Sequence, residues 1–183
     1  FNKKKAIALE PLKSNYNFLH KNRLDNQNRF KTLNLGVGEK KKHTKIYYSN
    51  QTSNVGASIY KDNNKKLISE KIKIDKIDNI LSKMKEKNFV IKIDIEGNEI
   101  NALNGAKKIL KKNCLIIYED HASDKFHLNS KYLLKKNFSI FFFDGKKIHQ
   151  IRKINELNDI KKLKHKGYNF IATRSLLFKK NLY

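Results

Sequence analysis

The chain predicts an α/β domain with a mostly parallel sheet flanked by helices, and three features carry that prediction. Short runs rich in Ile, Val and Phe alternate with stretches whose apolar residues recur at helical spacing. The two strongest runs, Phe89 to Ile95 and Leu115 to Tyr118, lead straight into acids, as strands do when they deliver carboxylates to a pocket at their carboxyl ends. At 183 residues and 21.5 kDa the chain can bury one ordinary core, and it shows no linker or internal repeat. A single domain over residues 1–183 is expected.

In order, Lys5 to Leu9 reads as a short strand ending at Glu10-Pro11, because proline cannot donate to a ladder. Ser14 is the expected N-cap of the next helix, with Tyr16, Phe18 and Leu19 turned toward the sheet. Arg29 to Leu35 is the second strand, closed by Gly36-Val37-Gly38. That glycine pair could cradle a phosphate, but Lys40, Lys41, Lys42 and His43 follow where a helix should open, so a plain turn is the better reading. Lys45 to Tyr48 has strand character, and Ser49 to Gly56 reads as a loop of the kind that carries substrate contacts. Lys71 to Ile74 alternates like a strand, and Asp75 should cap a helix through Met84 on the inner face of Ile77, Ile80 and Leu81.

The stretch Phe89 to Glu99 organises the rest. Phe89, Val90, Ile91, Ile93 and Ile95 suit a parallel strand covered on both faces. Lys92, Asp94 and Glu96 fall on one side at period two, and a buried lysine there would need a carboxylate partner. Gly97 breaks the strand, and a helix is expected from Asn98 to Leu110. Leu115 to Tyr118 repeats the pattern and ends in Glu119-Asp120-His121. A helix over about Asp124 to Lys136, a strand over Phe138 to Phe143, a turn at Asp144-Gly145 and a return to Ile151 come next. A helix around Ile154 to Leu163 and a last strand, Tyr168 to Thr173 opened by Gly167, complete the pattern.

The formal charge of +24 would ordinarily point to nucleic acid or an anionic membrane. Lys, Asn and Ile are abundant together, the mark of a skewed genome, and Arg, the better reader of bases and phosphates, is rare beside Lys. Nucleic acid is therefore disfavoured, and an anionic substrate or an anionic membrane surface is the favoured partner for the charge. Cys114 is the single cysteine, which excludes an intrachain disulfide and makes a reducing, cytoplasmic setting the simpler inference. No run reaches the roughly 18 apolar residues of a membrane span. The first residue is Phe1 and not Met, so further residues are expected upstream.

Three strand ends carry the candidate chemistry: Glu10, then Asp94 with Glu96, then Glu119 with His121. A carboxylate at the position of Glu10 can accept both hydroxyls of a ribose, which makes it a cofactor-binding candidate. Bland readings stand beside these. Glu10 can be a surface acid before a proline, Asp94 a strand terminator, Glu99 a first-turn acid favoured by the helix dipole, and His121 a loop histidine. Asp94, Glu96 and His121 lack the spacing of a known metal signature, so no metal is expected.

Ala8-Leu9-Glu10-Pro11 with Asn15 and Leu19, then Ile91-Lys92-Ile93-Asp94-Ile95-Glu96-Gly97-Asn98-Glu99 with Leu103 and Gly105-Ala106, then Ile116-Ile117-Tyr118-Glu119, together resemble the FkbM family of S-adenosylmethionine-dependent methyltransferases. The resemblance runs from about residue 5 to residue 145, with Tyr168 to Thr173 fitting the closing strand. It implies a Rossmann-like sheet ordered 3-2-1-4-5-7-6, S-adenosyl-L-methionine as cofactor, and methylation of a hydroxyl on a sugar, glycolipid or polyketide-like acceptor. It also implies that Glu10 holds the cofactor ribose and that Asp94 and Glu96 face the reacting centre. The family's first strand and glycine-rich loop should precede residue 5, so this chain is expected to be the larger, carboxyl-terminal part of the domain, with a gap in its sheet. The sulfonium donor is a cation, and Asp94, Glu96, Glu119 and His121 are the groups available to surround it and to take the acceptor's proton. The alternative from another class is a non-enzymatic basic domain that keeps the fold and binds RNA or anionic lipid through its lysines.

Overall fold

The computed structural model describes residues 5–49, 57–63, 67–162 and 168–180. Strands and helices alternate through much of the chain, apart from a run of strands between residues 31 and 75 and a hairpin at 139–151. A two-stranded parallel sheet pairs β1 (Ile7–Leu9) with β2 (Lys31–Leu33), joined by α1 (Lys13–Asp25). A three-stranded sheet runs β3-β5-β4, from Gly36–Val37, Ile68–Asp75 and Lys42–Tyr48. The largest sheet runs β6-β7-β10-β8-β9, from Asn88–Ile93, Asn113–Glu119, Asn169–Thr173, Ser139–Phe143 and Ile148–Ile151. The helices α2 (Ile77–Ile80), α3 (Glu99–Asn104), α4 (Leu128–Lys135), α5 (Glu156–Lys162) and α6 (Leu176–Lys179) complete the elements.

The sheets are mixed, which corrects the mostly parallel expectation. Among the described residues β6–β7, β1–β2 and β3–β5 pair in parallel, whereas β10 runs antiparallel to both β7 and β8, β8–β9 form an antiparallel hairpin, and β4 pairs antiparallel with β5. Short connections such as Asp144 to Lys147 permit only antiparallel neighbours.

β6 is not covered on both faces as its composition suggested. It forms the end of its sheet, and Val90 stays 65 % exposed while Phe89 and Ile93 are buried. Its lysine is accordingly no buried charge: Lys92 pairs with Asp94 at 2.8 Å on the open face. β7 alternates strictly, with Cys114, Ile116 and Tyr118 fully buried. Around them pack Phe170 and Ala172 of β10, Ile140 and Phe142 of β8, Leu103 of α3, Leu133 of α4 and Leu157 of α5. Fully burying each such side chain contributes about 1.5–3 kcal/mol, so this face dominates the stability of the domain. A smaller cluster of Leu12, Ile46, Ile72 and Ile74 holds the three-stranded sheet.

Several boundaries differ from the sequence reading for local reasons. Leu12, not Ser14, is the N-cap of α1, and the helix has no side-chain cap, because Glu10 and Glu70 reach the N–H groups of Leu12 and Lys13 from outside it. α1 buries none of its residues, and Phe18 is 71 % exposed. Asp75 ends β5 and does not cap a helix to Met84; its carboxylate accepts from Lys76 N–H and the Asn79 side chain, and α2 is a single turn. Gly36-Val37 is not a plain turn but a two-residue strand paired with Ile74 and Asp75. α3 ends at Gly105, where the chain lies on the carbonyl of Gly38 and a Cβ would stand 2.1 Å from the oxygen, so only glycine fits. The expected Ser49 to Gly56 loop and the Gly167 strand opening fall largely or wholly outside the described residues.

Candidate functional site

Three carboxylates predicted from separate strand ends line one cavity. Glu10 at the end of β1 and Asp94 and Glu96 beyond β6 border a space of about 570 Å³, closed by Asn15 and Phe18 of α1 and by Asn98. Its floor is apolar, built from Leu9, Val37, Ile46, Ile72 and Ile74. A concave apolar cavity with a few convergent polar groups is the usual form of a small-molecule site, and this volume lies in the usual range.

Each acid is placed by identifiable contacts. Pro11 ends β1 and turns the chain into α1, so Glu10 Oε1 accepts the Leu12 N–H at 2.8 Å. Burial raises the Glu10 pKa above its ordinary value, against the N–H of Leu12 and the side chain of Asn15, while the charge of Glu70 adds to the rise. β6 ends at Ile93, and the backbone then enters the left-handed region at two consecutive residues, Glu96 (φ 51°) and Gly97 (φ 88°). Glycine tolerates that conformation; glutamate at φ 51° is strained by about 1 kcal/mol or more. This turn explains why Glu96 does not continue the period-two row of Lys92 and Asp94.

The turn is clamped from beneath. Glu99, only 5 % exposed, accepts the N–H groups of Ile95 and Gly97 on its Oε1, each at 3.2 Å. Asn98 donates to the carbonyl of Val37 in β3 and accepts from the Asn101 side chain. Ser58 holds the carbonyl of Glu96 from the other side. Glu99 is therefore the holder of the acidic turn, more than a complement to the helix dipole.

Glu119 and His121 are not among the residues lining the cavity. Glu119 is nevertheless within reach of its charge: burial raises its pKa, His121 opposes the rise, and Asp94, Glu96 and Glu99 add to it. His121 is exposed, engaged by Ser123 through Nδ1 at 2.7 Å and set edge-on to Tyr168. No group of His, Cys, Asp and Glu that could hold a metal occurs among the described residues.

The sequence reading left one constellation without a role. Asp120 is fully buried and receives the ammonium of Lys161 and the hydroxyl of Ser130. Since Ser130 spends its proton on Asp120, the Tyr118 hydroxyl donates to Ser130, at 2.7 Å. Burial pushes the Tyr118 pKa far up, which keeps that donor protonated. Lys161 also donates to the carbonyls of His121 and Asp124, at 3.0 and 2.8 Å, and His127, held to Asn158, lies 3.5 Å from Asp120. Parity along β7 was the available signal: Asp120 continues the buried row Cys114, Ile116, Tyr118, so its acid had to find a cation in the core.

The comparisons agree with this architecture. A structural neighbour, the crystal structure of methyltransferase FkbM from Methylobacillus flagellatus KT, superposes with a TM-score of 0.55 at 17 % identity and covers 93 % of this chain. At that identity the likeness speaks for the fold, and the chain spans 36 % of the neighbour's length. A search of curated proteins finds no match. The family model described as the methyltransferase FkbM domain matches residues 1–170, and the chain belongs to that family.

Proposed function

We propose that this chain serves S-adenosyl-L-methionine-dependent methyl transfer to a hydroxyl oxygen of a sugar, glycolipid or polyketide-like acceptor, at the cavity bordered by Glu10, Asp94 and Glu96. The observation that carries the reading is the convergence of these three carboxylates from distant strand ends on one apolar-floored cavity, in a chain matched by the FkbM methyltransferase domain over residues 1–170. The residues fit the cofactor, because a sulfonium cation and ribose hydroxyls both call for carboxylates and the apolar floor suits an aromatic base. When bound, the cofactor supplies an activated methyl group.

In this reading Glu10, at the cavity wall, accepts the ribose hydroxyls. Asp94 and Glu96 face the positive charge of the donor, on a turn that Glu99 and Asn98 hold rigid. Rigid placement of donor carbon and acceptor oxygen in line is the largest contribution such an enzyme can make. Glu119, whose affinity for a proton is raised by burial and by neighbouring carboxylates, is suited to accept the acceptor's proton, and His121 stands beside it.

The reading includes a Rossmann-like order. β2 and β1 would occupy positions 3 and 2 of the 3-2-1-4-5-7-6 order, and β6, β7, β10 and β8 follow one another as 4, 5, 7 and 6. One strand position between β1 and β6 is filled by no described strand.

Calorimetric titration of S-adenosyl-L-methionine into the full-length gene product tests the proposal. Glu10→Gln is expected to weaken binding about 10- to 100-fold, the loss of charge-assisted hydrogen bonds of about 1.5–3 kcal/mol. Asp94→Asn is expected to abolish transfer of labelled methyl groups to hydroxyl acceptors. A wild-type protein that takes up no cofactor, or a Glu10→Gln protein that binds it equally well, overturns the reading.

A further inference from the structure

We infer that the outer face of the β3-β5-β4 sheet is a docking surface for an anionic lipid bilayer. In the β4–β5 ladder His43 stands opposite Lys73, and Lys45 opposite Lys71. Period two puts these four side chains on one face, while Ile46, Ile72 and Ile74 are buried on the other. All four are exposed, and among the described residues none forms an ion pair. Tyr47 opposite Ser69 completes the paired part of the face; the one carboxylate in its row, Asp75 at the end of β5, is engaged by the Lys76 N–H and the Asn79 side chain.

Like charges directly opposite one another destabilise a sheet, and this face places Lys45 directly opposite Lys71. Protection of an edge strand would explain lysines on β4. It extends to Lys71 and Lys73, because among the described residues β3 pairs with Ile74 and Asp75 alone and leaves β5 open beside them; what edge protection does not require is that these cations share one face. The positive face also continues past the ladder. Lys40 and Lys41 are exposed where the chain enters β4. Lys71 and Lys73 further line a groove with Lys13 and Asn34, whose one acid, Glu70, is engaged by the N–H of Lys13.

The chemistry favours a headgroup surface over nucleic acid. Every strong cation on the face is an ammonium; there is no arginine fork to grip a base edge, and Tyr47 is the one aromatic, too few for a stacking platform. Cross-strand spacing of about 5 Å lies inside the Debye length at physiological salt, so the charges act together on a planar anionic surface.

Co-sedimentation of the 183-residue chain with vesicles at about 0.15 M salt tests this. Binding is expected to mixed phosphatidylcholine–phosphatidylglycerol vesicles and not to phosphatidylcholine alone. Each lysine near such a surface contributes about fivefold, so Lys71→Gln/Lys73→Gln should weaken binding about 25-fold and Lys45→Gln about fivefold. Lys107→Gln/Lys111→Gln removes the same charge from exposed positions outside the ladder and should leave binding unchanged. The ladder's repulsion further predicts that Lys71→Gln/Lys73→Gln raises the thermal midpoint. Absence of binding to anionic vesicles overturns the proposal, as does equal weakening by both pairs. Preferential binding of poly(U) RNA, lost in the Lys71/Lys73 pair, would overturn it in favour of a nucleic-acid surface.

Discussion

Replacing Lys161 by Met isolates the buried network, because Met fills nearly the same volume and removes only the ammonium. Asp120 has no exposed surface, and Lys161 is its sole cationic lysine or arginine partner among the described residues. Breaking a buried pair from one side costs about 3–5 kcal/mol, since the remaining charge is left without compensation. With a urea dependence of about 2 kcal/mol per molar for a domain of this size, the unfolding midpoint should fall by about 2 M. Lys161→Met/Asp120→Leu removes both charges and should recover most of that loss. Recovery stays incomplete, because the carbonyls of His121 and Asp124 also lose a donor. Equilibrium unfolding followed by far-ultraviolet circular dichroism gives the midpoints, and amide exchange over residues 121–127 reports the loop directly. A single variant within about 1 kcal/mol of wild type, or a double variant no more stable than the single, refutes the reasoning.

Glu96→Gly should keep or raise stability, by about 1 kcal/mol at most, while methyl transfer is lost, because glycine relieves the strain at φ 51° and removes the carboxylate; thermal unfolding and a transfer assay read the two halves, and a destabilised variant contradicts the strain argument. Glu119 ionises at higher pH in the fold than in the unfolded chain, chiefly through burial and then through Asp94, Glu96 and Glu99. The folded state therefore holds more protons between those two values, and stability falls as pH rises through that interval. Glu119→Gln should flatten that fall in thermal midpoint, and an unchanged slope would show that another group titrates. Burial pushes the Cys114 thiol up to about 11, only partly offset by Arg174. It should resist a thiol reagent at neutral pH until the protein unfolds, and fast labelling of the native chain would place it elsewhere than in the core.

The alternation of strands and helices was legible because hydrophobic periodicity is local, and every strand expected within the described residues is present. The convergence of Glu10 with Asp94 and Glu96 followed from one rule, that carboxyl ends of strands gather at one edge of an α/β domain. What the sequence hid depended on partners distant along the chain. Exposure of β6 is set by which strand lies beside it, and nothing in Phe89 to Ile93 reports that. The role of Glu99 depends on a left-handed turn at Glu96, a conformation glutamate rarely signals. The need for glycine at position 105 depends on Gly38, more than sixty residues earlier, whose carbonyl occupies the space a side chain would take.

Glu119 and Asp120 show how one strand end can serve site and scaffold together. Consecutive residues on a strand face opposite sides, so the last two acids of this run are sent apart. Asp120 enters the core and is fixed by Lys161 and Ser130. Glu119 shares the field of Asp94 and Glu96, and its backbone carbonyl is tied to Asn129 at the start of α4. Asn129 and Ser130 are neighbours on that helix, so the same turn of α4 grips both residues of the strand end. Any shift of the buried pair must therefore move Glu119. Within the proposed reaction this makes the Asp120–Lys161 pair the reference against which the proton acceptor is positioned. It also explains why the proposed catalytic edge, in so lysine-rich a chain, rests on a cation placed inside the core.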